Sequence, residues 1–223
     1  MVYLKTRLVD VINQGGIALT AEHQERLEAA NGLRDRLANF FASLYDTTIP
    51  KPPVKYLTLN DFVDDARRTT FLRTTLGGSV TPYFMEELGG MCDKDGKAIR
   101  LNPYRNSKMD GEVIAHELGH ATLHHATPPF ESTGNQIGLL REAGDYHEAI
   151  AQRFAIDALP FLREIGEVGS LMHFFMKLGN KLSSRGRTIA ALMGKQGVTM
   201  KELLTQPHEM LKRHEQYFAA YSL

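Results

Sequence analysis

This 223-residue sequence has no tryptophan, no long apolar run and a single cysteine, Cys92. A single cysteine excludes an intrachain disulfide, so we expect a protein of a reducing compartment. No apolar run approaches the ~20 residues needed to cross a bilayer, so we expect no membrane partner. The stretch 1–16 lacks the apolar core of a signal peptide. Together these absences predict a cytoplasmic protein, with delivery by a signal-less secretion route as the open alternative.

An excess of charge of either sign is also missing, since Lys plus Arg and Asp plus Glu both number 26. Residues 1–50 contain five basic and six acidic side chains, so this segment has no excess of positive charge with which to bind the phosphates of a nucleic acid. We therefore expect no nucleic-acid partner. Residues 110–160 are acidic, with eight acidic and two basic side chains. Such a segment suits a cation site or a basic substrate, although a solvated acidic face is the commoner explanation.

A long amphipathic helix is predicted after Thr20, which can serve as its N-cap. Apolar residues recur there every three or four positions and form one stripe along the helix. The members of this stripe are Leu27, Ala30, Leu33, Leu37, Phe41 and Leu44. The sequence IPKPP at 49–53 stops the helix, because proline cannot continue it.

The region after this connector predicts strands and one short helix. VKYLTL (54–59) is rich in β-branched and aromatic residues, as is TPYFME (81–86), so each is expected to form a strand. Between them a helix capped by Asn60 or Asp61 is expected to run to Leu72. GMCDKDGKAIRLN (90–102) is typical of a hairpin turning at Gly96. With the helices that follow, this order predicts an α+β protein with one small, mostly antiparallel sheet packed by helices.

The sequence VIAHELGHATLHH (113–125) carries the strongest chemical signal. Residues four apart in a helix lie on one face, so His116 and His120 can direct imidazole nitrogens at one metal ion. Glu117 shares that side of the helix and can act as a base towards water without being a ligand. This HExxH pattern predicts a metal centre with a catalytic glutamate. His124 is expected beside the ligands or at the rim of the core, and His125 at the surface.

The third protein ligand is not determined by this helix, because Leu123 and Ala126 occupy the positions at which a third histidine would belong in one class of HExxH enzyme. The sequence REAGDYHEAIAQRFAIDALP (141–160) predicts a second helix that starts at Gly144 or Asp145 and ends at Pro160. Glu148 in this helix could supply a carboxylate ligand. Two alternatives stay open: Glu148 could instead cap the helix in a box with Asp145, or Glu142 could be the ligand.

Beyond single residues, HELGH followed by HEAIAQRFA resembles the active-site helices of gluzincin metallopeptidases such as thermolysin. The likeness is closer to small ImmA/IrrE-type metallopeptidases, whose pattern is matched by 116–120, Leu123 and His124. Their second helix is matched by Glu148, Ala151, Phe154 and Ala155. The resemblance covers roughly residues 50–160 and implies Glu148, rather than Glu142, as the third ligand. Gln152 stands where Asp or Asn is usual, in a position to orient a ligand histidine.

The resemblance implies a minimal zincin-like fold and a zinc metalloendopeptidase. Residues 49–160 would form the catalytic core, with helical segments at 1–48 and 161–223 completing one compact domain. One Zn²⁺ per molecule would be held by His116, His120 and Glu148. Glu117 would be the general base in the hydrolysis of a protein or peptide substrate, which could lie along KAIRLN (97–102) as a sheet edge. The donor to the oxyanion is undetermined, with Tyr146 a candidate beside Arg141, Tyr104, His173 and His208.

A different class of function uses the same fold. ImmA/IrrE-type relatives regulate mobile elements and stress responses through repressor proteins, and antirestriction proteins pair a zincin domain with DNA binding. The alternative is therefore a regulatory or binding module in which the metal is structural or vestigial. Glu117 favours the enzyme, because a purely structural site has no need of a base.

Overall fold

The structure is a computed structural model that describes residues 6–75, 83–85, 88–93, 95–126, 137–167, 197–206 and 209–210. Its α-helices within these ranges are α1 (Leu8–Asn13), α2 (Ala21–Tyr45), α3 (Leu59–Thr75), α4 (Asp110–Ala126), α5 (Ile137–Glu164) and α6 (Met200–Thr205). The strands are β1 (Val54–Tyr56), β2 (Gly90–Cys92) and β3 (Ile99–Leu101). This small sheet packed by helices confirms the predicted α+β, zincin-like fold class. Among the described residues, no helix combines the length and apolar character needed to cross a membrane.

The three strands form one sheet in the order β1-β3-β2. β2 pairs with β3 as the predicted antiparallel hairpin, whereas β1 runs parallel to β3, so the strand directions are mixed. Gly96 makes the hairpin turn with φ of 70°, a conformation that suits glycine. The prediction that KAIRLN lies at a sheet edge is wrong: β3 is the central strand, and β2 lies at an edge next to α4.

The strand predicted at 81–86 is not present in the part of it that is described. Phe84 forms an isolated bridge with Arg7, and Met85 is buried in a small apolar cluster without being in a strand. Residues 81, 82 and 86 lie outside the described residues. Two backbone hydrogen bonds flank this bridge, from the Leu8 N–H to the Tyr83 carbonyl and from the Met85 N–H to the Thr6 carbonyl, and the side chains pack against α1 and α3.

Helix α2 begins where the sequence predicts. The Thr20 side chain accepts a hydrogen bond from the His23 backbone N–H, and the His23 ring accepts one from the Thr20 N–H. Ala30, Leu33, Leu37 and Phe41 of the predicted stripe are buried in the core shared with α4 and α5, and Leu27 is partly buried against it. The Phe41 and Phe154 rings pack with centroids 4.5 Å apart. Leu44 is an exception, since it is 50% exposed and the adjacent Tyr45 is buried in its place.

The N-terminus of α3 differs from the prediction by a few residues. Thr58, rather than Asn60 or Asp61, stands before the first turn, and its hydroxyl accepts a hydrogen bond from the Asp61 N–H at 3.3 Å. The Asp61 carboxylate in turn accepts from the Thr58 N–H at 2.6 Å. This reciprocal pair is a capping box, which satisfies two backbone donors that the helix itself cannot.

Helix α5 is longer at both ends than the sequence predicts. It begins at Ile137 instead of Gly144 or Asp145, so Glu148 lies well inside the helix and cannot cap its start. It also continues through Pro160 to Glu164. Pro160 is exposed, so the hydrogen bond that proline cannot donate is lost near water, while Leu159 and Leu162 keep this end buried on the core.

The described part of the C-terminal segment packs on the same core as the rest. Met200, Leu203 and Leu204 of α6 are buried in the main apolar cluster, which also includes residues of α2, α4 and α5. Lys201 forms an ion pair of 2.7 Å with Asp46, just after α2. The division into segments 1–48, 49–160 and 161–223 stays a prediction, and the helices expected between 168 and 196 lie outside the described residues.

Candidate metal centre

The candidate centre forms where α4 and α5 pack against each other. The two helices approach closely at Gly119, where an added Cβ would lie 2.6 Å from Ala151 Cα. A glycine on one helix facing an alanine on the other lets the two backbones come together without a clash. As a result, the side of α4 that carries His116 and His120 faces Glu148 on α5.

The candidate ligand atoms are spaced as in one coordination shell. His116 Nε2 lies 3.2 Å from His120 Nε2, Glu148 Oε2 lies 3.6 Å from the His116 nitrogen, and Glu148 Oε1 lies 3.4 Å from the His120 nitrogen. Ligands of a tetrahedral zinc at ~2.0–2.2 Å are separated from one another by about 3.4 Å. The distances and the donor set therefore fit a single ion such as Zn²⁺. Within the described residues, this is the group identified as able to hold a metal.

Glu117 lies next to the ligand triangle and is 7% exposed. Burial raises the pKa of its carboxyl group to about 7, with the charge of Glu148 adding to the shift. The charge of His120 and the nearby Cys92 backbone N–H act in the opposite direction. Cys92 belongs to the edge strand β2, so the Glu117 carboxyl group lies beside that strand. A buried carboxyl group with this pKa can both accept and return a proton near neutral pH.

Two further histidines lie beside the triangle. The His124 and His147 rings are 5.4 Å apart between centroids. Burial, reinforced by the neighbouring histidines, lowers the pKa of His124 and lowers that of His147 to about 4. The lowered pKa values favour the neutral form of both rings, which limits the positive charge next to a cation. His125 is exposed, as predicted, and Gln152 is half-buried one turn after Glu148.

The sequence pattern did not single out His147, although its position directly before Glu148 was a usable signal. The far side of the site was not predicted either. A cavity of about 190 Å³ opens beside the ligands, and its lining consists of Gly89, Gly90, Arg105, Glu112, Val113, His116 and Glu117. Glu112 could have been found, because it lies four residues before His116 on the same face of α4. Arg105 and the two glycines lie outside helices and give no periodic signal.

Of the residues suggested as oxyanion donors, Tyr104 has a described side chain, and that side chain does not line the cavity. The ring of Tyr104 is half-buried and packs near Phe62, with ring centroids 6.2 Å apart. The side chains of Arg141 and Tyr146, and residues His173 and His208, lie outside what the structure describes. The same holds for the side chain of Glu142, the rival ligand. These assignments stay predictions.

A small sheet edge beside a helix with two histidines and a glutamate, and a second helix that supplies another glutamate, defines a zincin-like architecture. Residues 68–158 match the model of the IrrE N-terminal-like domain family, Peptidase_M78, which confirms the resemblance seen in the sequence. The matched span includes β2, β3, α4 and Glu148 in α5. Neither a curated protein nor a solved structure gives a significant match. The family match and the candidate metal site support a metallopeptidase-type function.

Proposed function

We propose that this protein is a zinc-dependent endopeptidase that hydrolyses peptide bonds of a protein substrate. The observation that carries the proposal is the triangle of His116, His120 and Glu148 with the buried carboxyl group of Glu117 beside it. A metal held only for structure would need a fourth protein ligand and no base. The cavity lined by His116 and Glu117 instead leaves room for water and a substrate.

Each residue of the candidate centre has a defined role in the proposed reaction. The imidazoles of His116 and His120 and the carboxylate of Glu148 would hold the ion, and two nitrogens with one oxygen suit zinc well. When bound, zinc supplies Lewis-acid chemistry, which makes water more acidic and a carbonyl group more electrophilic. Glu117 takes a proton from the attacking water and passes it to the leaving amine.

The edge of the sheet suggests how a substrate would lie. Backbone bonds to β3 and its flanks are formed at Gly89 and Asp93, so by antiparallel alternation the backbone groups of Gly90 and Cys92 point away from β3. Gly90 also lines the cavity with His116 and Glu117. An extended peptide could pair with this edge and place its backbone beside the metal, which requires little of its side chains.

The test compares wild type with Glu117→Gln, both loaded with zinc, by mass spectrometry of new protein N-termini in a cell lysate. The amide has nearly the shape of the carboxylate but cannot accept the proton, so we expect cuts with wild type and none with the variant. Equal zinc content in the two proteins is the control for an intact site. The same cuts with both proteins would refute the role of Glu117, and none with either would refute the peptidase.

A further inference from the structure

Arg105 places a positively charged side chain on the wall of the cavity, and the proposed mechanism gives this side chain no role. It lies in the loop between β3 and α4, where its backbone N–H donates to the Asn102 carbonyl at 3.3 Å. Its side chain is half-buried and lines the cavity with His116 and Glu117. Nη1 of the guanidinium packs directly on Gly89, at a place that any Cβ would fill. Glycine at this position is therefore what admits the cation to the start of β2.

The acidic groups nearest in sequence do not neutralise this guanidinium by direct contact. Asp110 is already bound by Arg26, whose Nε and Nη2 donate to its two oxygens at 2.7 and 2.6 Å. Glu112 lines the same cavity and is attracted by Arg105, yet no ion pair between them forms. Within the part of the sequence that the structure describes, the Arg105 side chain has no carboxylate within ion-pair distance. Its donors at the cavity wall are therefore not taken up by a described acidic group.

The planar guanidinium fork matches a carboxylate, to which it can donate two parallel hydrogen bonds. We propose that Arg105 selects substrates by binding a carboxylate of the peptide next to the bond positioned at the candidate metal centre. An acidic side chain as the source agrees with an endopeptidase, whereas a C-terminal carboxylate as the source would make the enzyme a carboxypeptidase. The cavity is small, about 190 Å³, and both Arg105 and His116 line it, so a group bound there lies near a candidate metal ligand. The selection of cleaved substrates rests on the proposed peptidase function, whereas the binding of a carboxylate by Arg105 does not.

The experiment measures peptide binding to zinc-loaded protein in the Glu117→Gln background, so that no cleavage interferes. The probes are two matched pairs of fluorescein-labelled hexapeptide libraries. In the first pair both ends are blocked and the fixed central residue is Glu or Gln. In the second pair the peptides have neutral side chains and the C-terminus is free or amidated. We expect binding to at least one carboxylate-bearing library to be about tenfold tighter than to its uncharged match, the size of one charge-assisted contact. The library that shows this preference identifies the source of the carboxylate.

Two variants then test whether Arg105 is responsible. Arg105→Gln removes the charge, and Gly89→Ala displaces the guanidinium without removing it, so each should reduce the tenfold preference to within about twofold. Arg36→Gln is the matched control, because Arg36 is an exposed arginine of α2 away from the cavity, and it should leave the preference intact. Zinc content and melting temperature are measured for every variant, so that a folding defect is recognised. Arg105→Lys, which keeps the charge but loses the fork, should retain a part of the preference.

The inference is overturned if the unaltered cavity does not distinguish carboxylate-bearing from uncharged libraries. It is also overturned if Arg105→Gln weakens binding to all libraries equally, which would indicate a role in backbone or oxyanion contacts. Its failure is distinct from failure of the peptidase proposal. Selective binding that depends on Arg105, without cuts by wild type, would retain the inference and refute the peptidase. Cuts without selectivity would do the reverse.

Discussion

Glu148 is the residue on which the candidate centre depends most, because it brings a ligand from a second helix to the two histidines. Its oxygens lie 3.4 and 3.6 Å from the histidine nitrogens, the spacing of ligands around a single ion. Its position inside α5, 11 residues after the helix begins at Ile137, excludes the capping role. Glu148 is also the one member of this ligand set that brings a negative charge to the cation.

Replacement of this carboxylate should weaken metal binding strongly. Glu148→Gln keeps the size of the side chain but loses its charge, so we expect zinc affinity to fall at least about 100-fold, more than the usual effect of an outer-shell group. Competition with a chelator of known affinity measures the change. Glu164→Gln, an exposed glutamate of the same helix, is the control and should bind zinc as wild type does. Equal affinity in both variants would remove Glu148 from the ligand set.

At the scale of elements, the packing of α4 on α5 determines whether the ligands can meet. Gly119 packs tightly against Ala151, whose Cα would lie 2.6 Å from an added Cβ, and Phe154 Cδ2 would lie 3.3 Å from it. An ordinary side chain at position 119 would have to move backbone atoms rather than the tip of a flexible side chain. The geometry of the triangle therefore depends on a residue that does not touch a metal.

Gly119→Ala should destabilise the fold and weaken zinc binding together. We expect a loss of about 1–3 kcal/mol in the free energy of unfolding, the usual effect of overpacking a tight contact. Urea unfolding of the apo protein and zinc competition measure the two effects. Gly32→Ala is a matched control, because Gly32 lies in α2 with nothing within 4 Å of its added Cβ. That control should gain about 0.5–1 kcal/mol from helix propensity. A stable Gly119→Ala with normal zinc affinity would contradict this account of the crossing.

At the scale of the whole molecule, α2 is fastened to the start of the metal-site helix by one arginine. Arg26 donates to both oxygens of Asp110 and to the backbone carbonyls of Asn102 and Pro103. Asp110 is 8% exposed, and burial raises the pKa of its carboxyl group while Arg26 opposes the shift. The ion pair thus joins three separate parts of the protein at the N-terminus of α4.

Arg26→Ala should leave a buried carboxylate without its partner. We expect the free energy of unfolding to fall by about 3 kcal/mol, in the range found when one member of a buried ion pair is removed. Asp110→Asn in the same variant should recover part of this loss, because the uncompensated charge is then absent. Arg36→Ala provides an exposed control on α2. Thermal or urea unfolding that shows no difference between Arg26→Ala and the control would refute the fastening role.

Much of this arrangement could be predicted from local patterns. The HExxH spacing placed His116, Glu117 and His120 on one helix face, and the turn at Gly96 located the hairpin. Long-range pairing gave no such signal, so the central position of β3 and the parallel alignment of β1 were missed. The start of α5 was missed because Gly144 and Asp145 are typical of a helix start, yet the helix continues through them. The position of the Arg105 guanidinium depends on its contact with Gly89, and no local sequence pattern indicates that contact.

The most direct test of the metal centre is a crystal structure of zinc-loaded protein with anomalous diffraction data on both sides of the zinc edge. We expect one zinc peak per molecule, within about 2.0–2.2 Å of Nε2 of His116, Nε2 of His120 and a carboxylate oxygen of Glu148. Glu117 should lie beside the ion without ligating it. A peak elsewhere, or none in protein saturated with zinc, would refute the proposed metal centre.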